Sequence, residues 1–362
     1  MTTDWPKVSL VDIANFKTGT LNSNASVENG LYPFFTCSPE TFRINDYAFD
    51  QKVILLAGNN AEGKFNAYQR TYIIDIIHWD DLKYLFYALK LCLNQFKLLS
   101  QDTSTHFLTM GILENFSIPN PPLPIQRTIA ATLSCLDNKI ELNNRINANL
   151  EAQAGAIFKS WFVDFEPFQG GEFVDSELGK IPKRWRVGTL GAYCKITTGK
   201  LDANARVENG KYRFYTCAKD YYLIDDYAFD TEAILVSGNG EYVGYINYFK
   251  GKFNAYQRTY VIDDFKISVA YIKCFLQLFL KERIINQRRG SSTPYIVLGT
   301  LADFEMVIPP KEVLEKYNNV AFNLLKQAEN NKEQSRTLAA IRDILLPRLM
   351  SGEIEVPTKE KL

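Results

Sequence analysis

The spacing of apolar and polar positions changes character along the chain. Short β-branched or aromatic runs, such as Val53-Ile54-Leu55-Leu56 and Tyr72-Ile73-Ile74, alternate with Gly/Asn turns and predict strands. Helical spacing follows near Leu82 to Leu99 and again near Val269 to Ile285. After Pro124 the period becomes seven. Ile129, Leu136, Asn143, Leu150 and Ile157 form one row, and Leu133, Ile140, Asn147, Ala154 and Trp161 the other, as a and d positions of a coiled coil do. Residues 125–161 contain no proline, and as one helix they would run roughly 55 Å at about 1.5 Å per residue.

The same succession occurs twice. Trp5 is echoed by Trp185, Val27-Glu28-Asn29-Gly30 by Val207-Glu208-Asn209-Gly210, and Asp46-Tyr47-Ala48-Phe49-Asp50 by Asp226-Tyr227-Ala228-Phe229-Asp230, each 180 positions later. The segment Lys64 to Tyr72 recurs unchanged as Lys252 to Tyr260, now 188 positions on, so the second copy has gained eight residues in between. The shift of 188 then holds for Gly111 and Gly299, Phe116 and Phe304, and Pro121-Pro122 and Pro309-Pro310. A period this long is a duplicated domain with a connector, because each copy can bury a core without stacked neighbours.

Applied to the heptads, the same shift gives Tyr317, Leu324, Asn331, Leu338 and Leu345 as one row and Ala321, Ala328, Ser335, Arg342 and Leu349 as the other. The two helices are natural partners, with Leu136, Ile140, Asn143, Leu150, Leu324, Ala328, Asn331 and Leu338 along their seam. Asn143 and Asn331 share one seam position, where an amide weakens packing but fixes register if it finds a partner; the two are expected to pair. The fold class is therefore α+β: two tandem pseudo-symmetric domains of mixed sheet and short helices, separated by two long helices in an antiparallel coiled coil. Expected boundaries are 1–124 for the first domain, 125–163 for the first long helix and 164–184 for an acidic linker. The second domain takes 185–311, the second long helix 312–351 and a tail 352–362.

Length and composition agree with two domains: 362 residues, of which 46% are hydrophobic, can fill two cores. No apolar run is long enough to span a bilayer and the start does not resemble a signal peptide, so a cytoplasmic location is expected. Cys37, Cys92, Cys135, Cys194, Cys217 and Cys274 include no C-x-x-C pair and are expected to be reduced, mostly buried thiols. Lysine plus arginine, 41, equals aspartate plus glutamate, 41, so nucleic-acid binding cannot rest on a global positive field. It would need local patches, such as Arg184, Arg186, Lys195, Lys200, Arg206, Lys211 and Arg213, or Lys281, Arg283, Arg288 and Arg289.

Catalytic signals are weak. Asn120-Pro121-Pro122-Leu123 resembles the motif with which amino-methyltransferases grip a flipped adenine, but the stacking aromatic is missing and no Gly-rich cofactor loop precedes it. The prolines are expected to stop a strand before the helix. Gly238, Gly240 and Gly244 precede a strand-like Tyr245-Ile246-Asn247-Tyr248-Phe249 rather than a helix, which favours a hairpin turn over a dinucleotide site. His78 and His106 lack partners at metal-ligand spacing, and Asp164, Glu166, Glu172, Asp175 and Glu177 look like a solvated connector. No catalytic residue, metal site or cofactor site is expected in this chain.

The chain resembles the DNA-specificity subunit of type I restriction-modification systems over nearly its full length. The resemblance rests on the duplicated domains, on Pro-Pro-Leu-Pro-Ile-Gln-Arg (121–127) opening a long helix, and on Phe158-Lys159-Ser160-Trp161-Phe162-Val163-Asp164-Phe165-Glu166-Pro167 closing it. It continues in Ser176-Glu177-Leu178-Gly179-Lys180-Ile181-Pro182 and in Leu345-Leu346-Pro347-Arg348-Leu349-Met350-Ser351-Gly352-Glu353-Ile354. The resemblance implies two target-recognition domains, each reading half of a split site on double-stranded DNA. It also implies paired helices that dock methyltransferase subunits, which bind AdoMet, and a translocating nuclease, which uses ATP and Mg. The chain is compact for that family, and the eight residues missing from its first copy fall where a Gly-containing hairpin would help approach the DNA backbone. The competing readings are the specificity chain of a type II-like fused restriction/methyltransferase system, a self-contained methyltransferase or nuclease, and a scaffold with no nucleic-acid role.

Base reading needs polar side chains at base edges and cations or amides at phosphates. Gln69-Arg70-Thr71 and Gln257-Arg258-Thr259 supply both, although strand alternation would send Gln and Thr to one face and Arg to the other. A first loop offers Lys17 and Thr18, matched by Lys195, Thr198 and Lys200. Strand ends offer Gly58 and Asn59, matched by Ser237, Gly238 and Asn239. A third loop offers Thr103, Ser104 and Thr105, matched by Ser291, Ser292 and Thr293 beside Arg288 and Arg289. Because the copies share so much of this surface, the two half-sites are expected to be similar, giving a nearly palindromic target.

Overall fold

A computed structural model describes residues 5–38, 40–56, 59–61, 63–77, 82–99, 108–286 and 295–356, with the backbone alone at 59–61. Four longer helices organise it: α1 (Leu82–Leu99), α2 (Leu123–Phe162), α3 (Val269–Asn286) and α4 (Lys311–Met350). The chain forms two compact units, and their limits are not those of the sequence repeat. One comprises Met1–Leu142 with Ser335–Leu362, the other Asn143–Gln334. Each long helix is thus divided between the units near its middle.

In the first unit, four strands pair in the order Ala14–Thr18, Tyr72–Ile76, Val53–Leu56, Asn59–Ala61, all antiparallel. A second four-stranded set pairs Phe42–Ile44, Tyr32–Phe35, Lys64–Ala67 and Phe49–Asp50, with Tyr32–Phe35 parallel to Lys64–Ala67. Lys7–Ser9 pairs with Ser117–Pro119 just before α2. The largest buried cluster of this unit joins Leu10, Ile54 and Ile74 to Tyr84, Leu85 and Leu89 of α1. It is completed by Ile129, Ala130 and Leu133 of α2 and by Leu346, Leu349 and Met350 of α4.

The second unit repeats this plan with one difference. Its strands form a single six-stranded sheet in the order Lys195–Thr198, Thr259–Asp263, Phe229–Ser237, Ile246–Ala255, Tyr212–Tyr215, Tyr222–Ile224. Phe229–Ser237 and Ile246–Ala255 pair continuously from Phe229↔Phe253 to Val236↔Ile246, where the first copy has two short strand pairs. The eight extra residues sit at the tip of this hairpin, as the glycine pattern suggested. Ala154, Phe158 and Phe162 of α2 and Leu314, Tyr317, Ala321 and Leu325 of α4 close the core against Tyr271, Phe275 and Leu276 of α3.

Within each unit the long helices run antiparallel. In the first, Asp137 on α2 accepts from Arg342 on α4 at 2.6 Å and from Tyr87 Oη of α1 at 2.7 Å. In the second, Asn143 Nδ2 donates to Gln334 Oε1 at 2.9 Å and to the Asn331 carbonyl at 3.4 Å, and Asn331 Nδ2 donates to Asn147 Oδ1 at 3.0 Å. The two asparagines therefore meet, directly at the Asn331 carbonyl and through the amides of Gln334 and Asn147 beside them. Lys332 bridges Glu151 and Glu329 at 3.0 and 3.3 Å.

Several expectations need correction. Leu133, Ala154, Tyr317, Ala321, Ala328 and Leu349 are buried as the heptads require, but Phe158, Phe162, Leu325 and Leu346 are buried where Ile157, Trp161, Leu324 and Leu345 were expected. Leu136, Ile140 and Leu338 are only half-buried. An α-helix turns every 3.6 residues, so a seven-residue row drifts, and towards their ends these helices face a sheet-and-helix core instead of each other. The acidic linker is not a bare connector: Phe173–Ser176 and Gly179–Pro182 form a hairpin, and Glu172 is ion-paired with Lys183. Of the cysteines, all unbridged, Cys92, Cys194 and Cys274 are buried while Cys37 and Cys135 are exposed. Burial pushes the Cys92 thiol up to about 11 and that of Cys194 to about 12. Pro121 and Pro122 separate a strand from α2, and Gln126 Nε2 donates to Asn120 Oδ1 and the Pro121 carbonyl, a structural role.

Lys273 of α3 is 2% exposed, with Glu329 at 3.6 Å. Burial lowers its pKa, and the Glu329 carboxylate opposes that shift. Removing only the anion strands a buried ammonium, whereas replacing the cation by a hydrocarbon of similar length leaves Glu329 with Lys332. Glu329→Ala is expected to destabilise the chain by about 3 kcal/mol and Lys273→Met to change stability by no more than about 1 kcal/mol, read from urea unfolding.

Candidate nucleic-acid interface

The unchanged nine-residue segment builds the same small structure in both units. Lys64 and Lys252 lie over the rings of Tyr47 and Tyr227 at 4.4 and 4.6 Å. Phe65 and Phe253 stack on Phe49 and Phe229 at 5.2 and 5.1 Å inside the sheet. Asn66 and Asn254 are buried and accept from the following backbone N–H groups. Ala67 and Ala255 are fully buried, and a Cβ on Gly19 or Gly199 would lie 1.9 Å from their carbonyl oxygens, so only glycine fits opposite them. Tyr72 and Tyr260 donate their hydroxyls to the carbonyls of Leu108 and Ile296.

Between these anchors the chain turns. Gln69 N donates to the Leu21 carbonyl and Gln257 N to the Leu201 carbonyl, both at 2.9 Å. Tyr68 N and Tyr256 N donate to the carbonyls of Phe35 and Tyr215 at 2.8 and 2.9 Å. The turn closes through Thr71 N to the Tyr68 carbonyl and Thr259 N to the Tyr256 carbonyl. Gln69, Arg70, Gln257 and Arg258 are exposed, while Thr71 and Thr259 are 0% and 1% exposed. Strand alternation therefore fails here: Gln and Arg share the outer surface because they occupy a turn, and the threonine hydroxyls are buried away from any ligand. Each glutamine is held by a side chain from the preceding loop, Gln69 Nε2 by Asn22 Oδ1 at 3.1 Å and Gln257 Nε2 by Asp202 Oδ1 at 2.7 Å. The thiols of Cys37 and Cys217 donate to the carbonyls of Arg70 and Arg258 at 3.7 and 3.4 Å.

Residues 2–152 and 182–342 match the model of the type I restriction modification DNA specificity domain. The chain belongs to the type I restriction-modification DNA-specificity family. Over 300 residues it is 31% identical to the specificity subunit of the type I restriction enzyme MjaIX of Methanocaldococcus jannaschii, a match covering 76% of this chain and 69% of that one. It is 40% identical over 190 residues to the EcoDI specificity subunit of Escherichia coli, covering 50% of this chain and 40% of that relative. In fold it is similar to the crystal structure of a type I restriction-modification S subunit from M. genitalium, with a TM-score of 0.60, 21% identity and 96% of each chain covered.

Other candidate contacts of this family member fall into place less well. Lys17 pairs with Asp75 at 3.5 Å, and Lys195 stands opposite Asp263 in the sheet register, so both cations have an acidic neighbour. Thr18 and Thr198 are half-buried, and Lys200 is exposed two residues before Asp202. Ser237 is 2% exposed, and Gly238 is stitched to the protein: its N–H donates to the Arg258 carbonyl, its carbonyl accepts from Ile296 N, and Asn239 bridges to Tyr295. A Cβ on Gly244 would meet Ile284 of α3 at 2.8 Å. The glycines of this hairpin thus serve packing within the unit at Gly238 and Gly244. Arg213 is committed to Glu333 at 2.7 Å and to the rings of Phe249 and Tyr221, and Arg283 to the carbonyls of Thr300 and Asp303.

Gly58, Thr103, Ser104, Thr105, Arg288, Arg289, Ser291, Ser292 and Thr293 lie outside the described residues, as do His78, His106 and the side chain of Asn59. Among the described residues no group of three or more His, Cys, Asp or Glu could hold a metal ion, and no helix is long and apolar enough to cross a membrane. Sequence reasoning missed Asn22, Asp202, Cys37 and Cys217. The repeated Leu-x-x-Asn-Ala at 21–25 and 201–205 was the available signal for the first two.

Two outcomes follow from this geometry. Gly199→Ala is expected to cost about 2 kcal/mol or more by forcing the strand and turn apart, measured as a lowered urea midpoint. Arg258→Ala in the assembled complex is expected to reduce the salt dependence of DNA affinity by about 0.9 in log–log slope if the guanidinium meets a phosphate. An unchanged slope with relaxed sequence preference would place it on a base instead.

Proposed function

We propose that the chain is a non-catalytic, sequence-specific DNA-binding subunit that reads a bipartite target on double-stranded DNA, one half-site per recognition unit. The observation that carries this is the pair of matching exposed turns, Gln69-Arg70 and Gln257-Arg258, each fixed by backbone hydrogen bonds at both ends. Glutamine can pair with adenine in the major groove and arginine with guanine or phosphate, and a turn whose backbone is already fixed limits the ordering cost at binding to the side chains. Around a chain of zero formal net charge such local presentation matters more than long-range attraction.

In this reading the chain docks adenine methyltransferase and nuclease subunits, which bring AdoMet, ATP and Mg, and the paired helices set the interval between the half-sites. The near-identity of the two turns makes the half-sites similar, so the target is close to palindromic. The proposal is tested by mapping methylated adenines, by single-molecule sequencing, in a host whose only active methyltransferase is the partner co-expressed with this chain. The expected result is one split motif with closely related halves that disappears when this chain is omitted. A motif with strongly unlike halves would remove the near-palindrome, and methylation independent of the chain would remove the function itself.

A further inference from the structure

The side chain that holds the turn's glutamine differs between the units by one atom, the amide nitrogen of Asn22 standing where Asp202 has a second carboxylate oxygen. Asn22 and Asp202 occupy equivalent positions with the same extended backbone, φ −75° and ψ 155° in one and φ −75° and ψ 157° in the other. Each holds the glutamine amide of its own turn, and both glutamines leave the backbone from an equally fixed N–H. A carboxylate accepts hydrogen bonds and does not donate them, so the 2.7 Å contact with Asp202 admits only Nε2 of Gln257 as its partner. Turning that amide over would set two acceptor oxygens against each other. The asparagine amide at 22 both donates and accepts, so the Gln69–Asn22 pair keeps its hydrogen bond when both amides turn over together.

From this we propose that Asp202 fixes the polarity of Gln257, making the second unit strict for adenine at one position, while Asn22 lets Gln69 present either polarity and accept either purine. The inference rests on the DNA-reading function proposed above. With one Nε2 hydrogen committed to Asp202, Gln257 offers Oε1 and its second N–H, the complement of adenine N6–H and N7. Guanine shows two acceptors, O6 and N7, on the same edge, and Oε1 of a locked Gln257 would oppose O6. Gln69 in the same orientation also reads adenine. Turned over, it accepts from Asn22 Nδ2 and leaves both Nε2 hydrogens free, so that the NH2 group, meeting the base end-on, can donate to guanine O6 and N7. Asp202 and Asn22 are positioning residues here, since the glutamines make the base contact.

The test uses the complete chain in its assembled methyltransferase, with the methylated motif mapped for wild type, Asp202→Asn and Asn22→Asp; both substitutions preserve side-chain shape. Wild type should require adenine at one position of one half-site and accept adenine or guanine at the corresponding position of the other. Asp202→Asn should raise methylation of guanine-bearing sites in the strict half roughly tenfold or more, leaving the other half unchanged. Asn22→Asp should lower guanine acceptance in the permissive half by a similar factor, a gain of discrimination that loss of folding cannot produce. Should Asp202→Asn abolish methylation, the Asn22→Asp result decides. A guanine tolerance that neither variant alters overturns the assignment while leaving DNA reading intact, and a wild-type complex with no motif overturns both.

Discussion

Closure of each core by segments of both long helices is the constraint on which the remaining structure depends. The first unit needs Ile129 and Leu133 from α2 and also Leu346, Leu349 and Met350 from the far end of α4. The second needs Ala154, Phe158 and Phe162 from the end of α2 together with Tyr317 and Ala321 from the start of α4. The spatial unit is therefore out of phase with the sequence repeat, and neither copy contains all the apolar surface that its own sheet must cover. Helix register becomes a condition for both cores at once, because a slip of one helix would withdraw apolar side chains from each unit. Polar rungs guard that register: Asp137 with Arg342 in one unit, and Asn143, Asn147, Asn331, Gln334 and Lys332 with Glu151 in the other. An amide or ion at a seam finds its partner in one register and is left unpaired when the helices slip, so it favours that register even though it packs less well than an apolar residue.

The same economy of roles explains why nine consecutive residues recur unchanged. Phenylalanine in the core, asparagine capping its neighbour, alanine beneath a glycine, a buried threonine and a hydrogen-bonded tyrosine each have an internal task, the exposed lysine lies on a tyrosine ring, and glutamine and arginine face out from the turn. The scaffold around the turn is over-determined, so substitutions within it would be felt as packing defects. Differences between the copies collect instead on the neighbouring loop, where Thr20, Asn22 and Ser26 stand against Lys200, Asp202 and Arg206.

Period and repeat made the architecture legible from the residues. A seven-residue spacing sustained through Trp161, and its image 188 positions later, required two long helices, and both are 40 residues long. The strand-rich segments and the hairpin at Gly238 to Gly244 followed from turn residues beside β-branched runs. What was not legible depended on tertiary partners. Whether Leu324 or Leu325 faces inward is decided by accumulated helical drift and by the core it meets. The orientation of Gln69 and Thr71 depends on a turn that exists because the Phe35 and Leu21 carbonyls, distant in sequence, capture its N–H groups. Arg213 and Arg283 looked like surface cations, and only the fold shows them consumed by Glu333 and by backbone carbonyls.

The two units are also supported differently, and this bears on what their likeness means. In the second unit the lengthened hairpin bears on α3 through Gly244, Tyr248 donates to Glu232 at 2.5 Å, and Lys273, Glu329, Lys332 and Glu151 form one ionic network behind it. The positions corresponding to Lys332 and Glu151 in the other copy are Asn144 and Ala339, which cannot rebuild that network. Yet the hydrogen bonds that define the Gln-Arg turns agree to within about 0.1 Å in distance, because they come from Leu21, Phe35 and Tyr68 and from their counterparts Leu201, Tyr215 and Tyr256. The lengthened hairpin touches the second turn, through the Gly238 N–H on the Arg258 carbonyl, yet those defining distances match in the two units. Divergence behind the sheet therefore bears on stability while the turn backbone is held alike in both units, and in the proposed reading a difference in recognition falls to the side chains that touch the glutamine and arginine directly.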